Sequence, residues 1–393
     1  MIYRFSGYAL DTGRHVLTRE GREISIEPQV FDLLRVLVEN AGSLVTRDKL
    51  IEDVWDGRIV SEASISTRIN AARAAVGDNG KDQAIIRTVP RRGFEMIAAV
   101  SLDAEGSAPE ERKLNQTVRF TSSPDGTSIA WSSTGDGVPL LYAWHHLSHL
   151  EADLACGFLE PAFRAMADRH RLIRYDIRGA GLSDPIGEND TIDQHVEDMI
   201  AVADAAGLTR FPVVAVLQSA AVAIRAAARY PDRISRLVLQ NGYARGRALR
   251  KNAPEQSEHD PFIALLTSGG WGDPTDAFMR AWATLVLPAA SFDETTEMIE
   301  LIAHAGTTRD ALLQRNLIDH LDVTGDLAQV RCPTLVIHAR LCAIHPSSEG
   351  RRVAAGIPDA EFLELDSANT FPISSDPSFK RQLKATLDFL AQT

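Results

Sequence analysis

Cysteine is nearly missing from this chain. Cys156, Cys332 and Cys342 are the whole complement in 393 residues, and none stands in C-x-x-C spacing. So odd and sparse a set excludes a disulfide framework and gives no zinc site. A reducing, cytoplasmic setting is the simplest expectation. Long apolar runs are missing too. None approaches the ~20 residues that span a bilayer, so no membrane partner is expected. The opening MIYRFSGYALDTGRHVL lacks the charged-then-apolar order of a secretory signal. Positive charge shows no overall excess, the net charge being −12. One further absence is local. RFPVVAVLQSAAVAIRAAARYP, from Arg210 to Pro231, reads as a strand entering a helix through a tight turn. Many hydrolases hold a nucleophile at such a turn in G-x-S-x-G, and here the glycines are gone.

What is present is unevenly distributed. Residues 1–100 hold 14 basic and 14 acidic residues, which leaves 27 and 39 for the remainder. The acidic excess therefore lies wholly beyond residue 100. Within the first hundred, residues 58–92 carry seven basic residues against three acidic ones. A local basic patch is what a polyanion meets, whatever the overall charge.

The segment before Pro28 alternates apolar and polar residues around Gly and Asp-Thr-Gly turns, the pattern of short antiparallel strands. PQVFDLLRVLVENAG then sets Phe31, Leu34 and Val38 on one helical face. VTRDKLIEDVWDG predicts a second helix, capped by Thr46, with Leu50, Val54 and Trp55 inward. A third helix runs from Ser61 to Gly77, with Ile65, Ile69, Ala72 and Val76 as its apolar stripe. Thr67 and Asn70 face the other way, with Ser66, Arg68 and Arg73 on the flanks. AIIRTV and GFEMIA predict two strands joined by the basic turn PRRG.

Strands, three helices and a terminal hairpin describe a winged helix-turn-helix. VFDLLRVLVENAGSLVTRDKLIEDVW, the Ile65–Val76 helix and IIRTVPRRGF together resemble the OmpR/PhoB-type DNA-binding domain over about 95 residues. The resemblance implies double-stranded DNA as partner, a third helix in the major groove and a wing on the backbone. It assigns DNA contact to Ser66, Thr67, Arg68, Asn70, Arg73, Arg87, Arg91 and Arg92. Asn70 and Ala71 stand where relatives often carry arginine, which changes the expected base preference. Asn pairs with an adenine edge, while Arg91 and Arg92 neutralise phosphates. No receiver domain precedes this module and no membrane helix follows it, so the signal is expected to enter through the rest of the chain.

Residues 101–116, SLDAEGSAPEERKLNQ, are polar and acidic and read as a linker. From Thr117 strands and helices alternate, predicting a mostly parallel, doubly wound sheet with helices on both faces. RYDIRGAGLSD, VEDMIAVADAAGLTRFPVVAV and AVAIRAAARYPDRISRLVLQNGYARGR resemble an α/β-hydrolase domain covering residues 117–393. They are most similar to hydrolase-type sensor domains fused to DNA-binding modules. Helical stretches at about 243–323 fall where that fold inserts its cap.

Aligned on its flanks, the elbow puts Ala215 at the first glycine, Leu217 at the nucleophile, and Ser219 and Ala220 at the last two glycines. The acid position after PTLVIHAR becomes Cys342, and the base position in LDSANTF becomes Thr370. A triad works as a unit and an alkyl side chain cannot attack a carbonyl, so no enzyme activity is expected. No cofactor is implied, and HHLSHLE is read as a structural loop with no metal. The emptied site reads as a ligand pocket. Its floor would be Leu217, Cys342 and Thr370. Trp144, His145, His146 and the Gln218 backbone N–H would stand beside it, and Trp271 and Trp282 would wall it from the cap.

The expectation is thus a one-component transcriptional regulator. Its silent hydrolase-like domain senses a small apolar or aromatic effector. A homodimer through residues 117–393 is expected, and RNA polymerase is a candidate partner. Two rivals stand beside it. One is a live serine hydrolase using Ser219 with a base such as His345. The other is a hydrolase-like domain used only for dimerisation.

Overall fold

The computed structural model describes residues 2–12, 15–19, 22–55, 60–90, 92–103, 114–145, 148–250, 271–273, 275–371 and 373–392. The chain divides into two compact units, Met1–Lys113 and Leu114–Thr393.

In the first unit, β1 (Ile2–Phe5), β2 (Tyr8–Asp11), β3 (Val16–Arg19) and β4 (Arg22–Ile24) form an antiparallel meander. Alternation along it turns Phe5, Tyr8, Leu10 and Leu17 into the core. Pro28 opens α1 (Pro28–Glu39), where a missing N–H costs nothing. Thr46 ends the short β5 (Val45–Thr46) and accepts from Lys49 N at 3.3 Å, capping α2 (Arg47–Trp55) as expected. Ser61 caps α3 (Glu62–Ala75) by accepting from Ser64 N. The stripe Ile65, Ile69, Ala72 and Val76 is buried. β6 (Ile86–Val89) and β7 (Gly93–Met96) form a hairpin beside β5. A Cβ at Gly93 would stand 2.0 Å from Val45 O, so only glycine lets the wing approach β5.

The predicted linker is shorter than its sequence suggests. Ser101–Asp103 is a strand, β8, paired antiparallel on Ile2–Arg4. Ser101, Leu102 and Asp103 are too few to carry a readable periodicity, yet their backbones complete the open edge of β1. At the other end, Leu114 packs into the second unit's core, and Gln116 donates to Leu150 O and accepts from Arg174.

The second unit is built on an eight-stranded sheet. The hairpin of β9 (Thr117–Ser122) and β10 (Ser128–Thr134) forms one antiparallel edge. β11 (Val138–Ala143), β12 (His170–Tyr175), β13 (Phe211–Val216), β14 (Ile234–Gln240), β15 (Thr334–Ala339) and β16 (Glu361–Leu365) run parallel. β16, a half-buried edge strand, is not singled out by the sequence reading. The order is β16-β15-β14-β13-β11-β12-β10-β9.

Successive residues face opposite sides. Val213, Ala215, Leu237 and Leu239 join one core, and Val214, Val216 and Val238 the other. The first core packs α6 (Ile192–Ala205), α7 (Ser219–Arg229) and α11 (Ser347–Gly356). The second packs α5 (Glu160–Ala167) and α12 (Phe379–Ala391). α4 (Leu150–Ala155) precedes α5. α8 (Ala277–Val286), α9 (Phe292–Ala305) and α10 (Thr308–His320) lie between β14 and β15 in sequence, inside the predicted cap.

The chain leaves β11 toward β12 and returns on the other side at β13. Such a reversal opens a crevice at the carboxyl ends of the two strands, where ligands bind in open α/β sheets. Trp144 and Leu217 stand at those two ends.

Candidate nucleic-acid interface and the strand-to-helix elbow

Burial of the α3 stripe leaves Ser66, Thr67 and Asn70 exposed on the outer face. Arg68 is half-buried and pairs with Glu27, the residue ahead of α1. Arg87 is exposed on β6 and pairs with Glu95 across the hairpin. Arg92 is exposed at the wing turn, and Arg91 lies outside the described residues. Arg73 departs from the expectation of DNA contact. It is 5% exposed, and its guanidinium donates to Ile86 O at 3.1 and 2.9 Å and to Thr88 Oγ1 at 2.8 Å. It braces α3 against the wing. The last turn of α3 runs beside β6, whose edge carbonyl would otherwise be unpaired, and the long arginine stem reaches it.

Asp78 supports the same junction. Its carboxylate accepts from the backbone N–H groups of Asn79, Ala84, Ile85 and Ile86 at 2.8–3.0 Å. Burial opposes ionisation, but these four donors outweigh it and hold the carboxyl below its usual range.

In the second unit the turn between β13 and α7 is strained at one residue. Leu217 has φ +54°, a left-handed conformation that costs a non-glycine residue ~1–2 kcal/mol. Its N–H is held by Gln240 O at 2.9 Å. This is the strand-to-helix elbow, and the residue at its apex is a leucine, 8% exposed. Ser219 stands two residues later, as the first residue of α7, and its buried hydroxyl donates to Trp144 O. Ala215 is fully buried in β13.

Cys342 and Thr370, from the loops after β15 and β16, come together. Cys342 Sγ lies 3.7 Å from Thr370 Oγ1 and accepts from His345 N at 3.4 Å. Thr370 N donates to Val286 O at 2.8 Å, which ties this loop to α8. Asn241 holds the cluster and is absent from the sequence reading. Its side chain donates to Thr370 O at 2.6 Å and accepts from Ala339 N at 2.7 Å. Its φ of +48° at the end of β14 is tolerated because asparagine visits this region readily.

Trp144 is buried and joins Leu217 in one apolar cluster. It meets Phe371 edge-on at 5.5 Å, while the His145 ring stacks on Phe371 at 5.2 Å. Phe371 is a second residue the sequence reading missed, although it directly follows Thr370. Trp271 and Trp282 stand 6.1 Å apart and pack against the same cluster. His146 lies outside the described residues. The Gln218 side chain turns toward the other core and lines a separate small cavity. His149, from the His-rich run, accepts from Glu151 N and Ala152 N and caps α4. Among the described residues, no helix is long and apolar enough to cross a membrane.

The elbow is enclosed by apolar and aromatic side chains. It offers no nucleophile at the strained apex, and Ser219 has its hydroxyl engaged elsewhere.

Residues 21–96 match the family model described as transcriptional regulatory protein, C terminal, and residues 149–374 match the alpha/beta hydrolase fold model. A putative carbamate hydrolase RutD from Azorhizobium caulinodans is 30% identical over 234 residues, 58% of this chain and 84% of that protein. The transcriptional activator CadC of Escherichia coli is 33% identical over 110 residues, 28% of this chain but only 22% of CadC. A hydrolase from Pseudomonas aeruginosa shares the fold with a TM-score of 0.58 at 22% identity, covering 70% of this chain and 99% of its own. The chain belongs to the alpha/beta hydrolase fold family and carries ahead of that domain the DNA-binding, OmpR/PhoB-type module of transcriptional regulators.

Proposed function

We propose that this protein is a ligand-responsive transcriptional regulator whose hydrolase-fold domain has given up catalysis for sensing. The observation that carries the reading is Leu217 at the strained apex of the elbow, where a nucleophile would stand. Cys342 beside Thr370 supports it, since neither can supply the carboxylate or imidazole of a triad. The aromatic walls of Trp144, Phe371, Trp271 and Trp282 suit a small apolar or aromatic effector. The winged helix meets DNA with α3 and the wing, in the cytoplasm, as a homodimer through the hydrolase-fold domain. Two copies on repeated half-sites would supply the specificity one module lacks. RNA polymerase is the partner through which such a regulator would act.

Native mass spectrometry of the purified protein tests the sensor role directly. A co-purified small molecule lost from Leu217→Trp supports it. Retention of that molecule by Leu217→Trp places the effector elsewhere.

The identity with a putative carbamate hydrolase favours a second reading, a live hydrolase. It would need Ser219 and His345. The Ser219 hydroxyl is engaged by Trp144 O, and His345 stacks on Tyr243 at 4.1 Å. Turnover of an activated ester that disappears in Ser219→Ala would establish this second reading.

A further inference from the structure

Behind the elbow, on the side away from Leu217, a small cavity lies between α6, the start of α7 and α10. It is lined by apolar side chains and by His195, Gln218 and Gln314. Its volume is about 10 Å³, and a cavity of ~10–15 Å³ holds one water molecule. The three polar residues are 4%, 5% and 1% exposed. One atom of each lacks a protein partner: His195 Nε2, Gln218 Nε2 and Gln314 Oε1. The role of Gln314 is fixed, because its Nε2 already donates to Arg178 O at 2.6 Å and Oε1 remains as an acceptor. His195 is neutral, since burial pushes its pKa down to about 4, so its ring nitrogen can either donate or accept. A buried polar group left unbonded is costly, and three around one void call for a common partner.

We propose that this cavity binds one resident water molecule, which accepts from Gln218 Nε2, donates to Gln314 Oε1 and bonds His195 Nε2. The chemistry excludes other occupants. A cation would face the Gln218 N–H₂ donor, and an anion would face the Gln314 oxygen. Anything larger than water exceeds the volume. Three hydrogen bonds are what a buried water ordinarily makes. The water links the residue after Leu217 to α10, a helix of the segment between β14 and β15. The site stands independently of whether the elbow binds an effector.

A crystal structure of the full chain, at a resolution that shows ordered solvent, tests this directly. One density peak is expected within ~2.7–3.2 Å of all three atoms. An empty cavity, a peak touching fewer than three of them, or Gln218 Nε2 bonded directly to Gln314 Oε1 overturns it. Melting provides a second arm. Gln218→Met and Gln314→Met keep side-chain volume, and each should lower Tm. The double variant should fall by less than the two shifts together, because the second change acts on a water already loosened. Additive shifts, or no shift in either single variant, overturn the bridge. The crystal test stands even if a variant fails to fold.

Discussion

The outer face of α3 and the floor of the elbow are built in opposite ways. On α3 the residues assigned to recognition are those the core leaves over. Ile65, Ile69, Ala72 and Val76 face in, and Ser66, Thr67 and Asn70 face out. At the elbow the residues of interest are inside, with Leu217, Cys342 and Thr370 all under a tenth exposed. An exposed polar face can change its contacts without disturbing the fold. A buried floor is held by specific partners, so a change there reaches its neighbours. Asn241 ties the Thr370 loop to the end of β15, and Ser219 ties α7 to the residue after β11.

The sharpest way to break this comparison is to restore chemistry. The unmodified protein should hydrolyse an activated ester no faster than a matched inactive control. Each single change among Leu217→Ser, Cys342→Asp and Thr370→His should remain silent, because triad members act together. The triple variant should exceed the parent by about 10²-fold, well short of the ~10⁶ of a mature triad. Hydrolysis by the unmodified chain, or by Leu217→Ser alone, would show that a different group catalyses.

Next in size is the support beneath the DNA-facing side. Asp78→Ala removes four hydrogen bonds to a charged group and should destabilise the first unit by ~2–4 kcal/mol, measured by denaturant melting. The pH dependence has a definite sign. The folded pKa of Asp78 is depressed, so its contribution is present above the unfolded carboxyl value of ~4 and is lost as pH falls through the folded value. Asp78→Asn should flatten that acid-side loss. An unchanged acid limb would assign it to other carboxylates.

Asn70→Ala should cost ~1–3 kcal/mol against one base pair and little on random DNA. Arg73→Ala, by contrast, should lower stability without altering base preference, since its guanidinium is occupied by Ile86 O and Thr88. A binding-site selection that shifted with Arg73→Ala but not with Asn70→Ala would reverse their roles. The smallest effect is expected at Arg92. Arg92→Ala should weaken specific and random DNA alike and lower the salt slope by ~1. A sequence-dependent loss would mean that the wing reads bases.

Much of this architecture was legible beforehand because burial follows period. The α3 stripe repeats as a helix must, and β13 reads as the continuous apolar run of a strand covered on both faces. Matching flanks point to Leu217 as the elbow residue, and the left-handed residue between β13 and α7 is Leu217. Arg73 was misplaced because a charged residue beside an apolar stripe looks exposed until a strand carbonyl is found within reach. β8 escaped because its pairing is made by backbone groups, which leave no trace in side-chain type. Asn241 and Phe371 escaped because their roles depend on neighbours far away in the chain.

What the amino-acid order determined alone is therefore the periodic part: which faces are apolar, where turns fall, and which residue stands between β13 and α7. Tertiary structure alone decided which of those residues meet. Cys342 and Thr370 lie 28 positions apart and touch because β15 and β16 are neighbours in the sheet. Ser219 and Trp144, 75 positions apart, bond because β11 and β13 are adjacent. Local patterning sets burial through short-range geometry, whereas such contacts depend on strand order, which no short window of sequence contains.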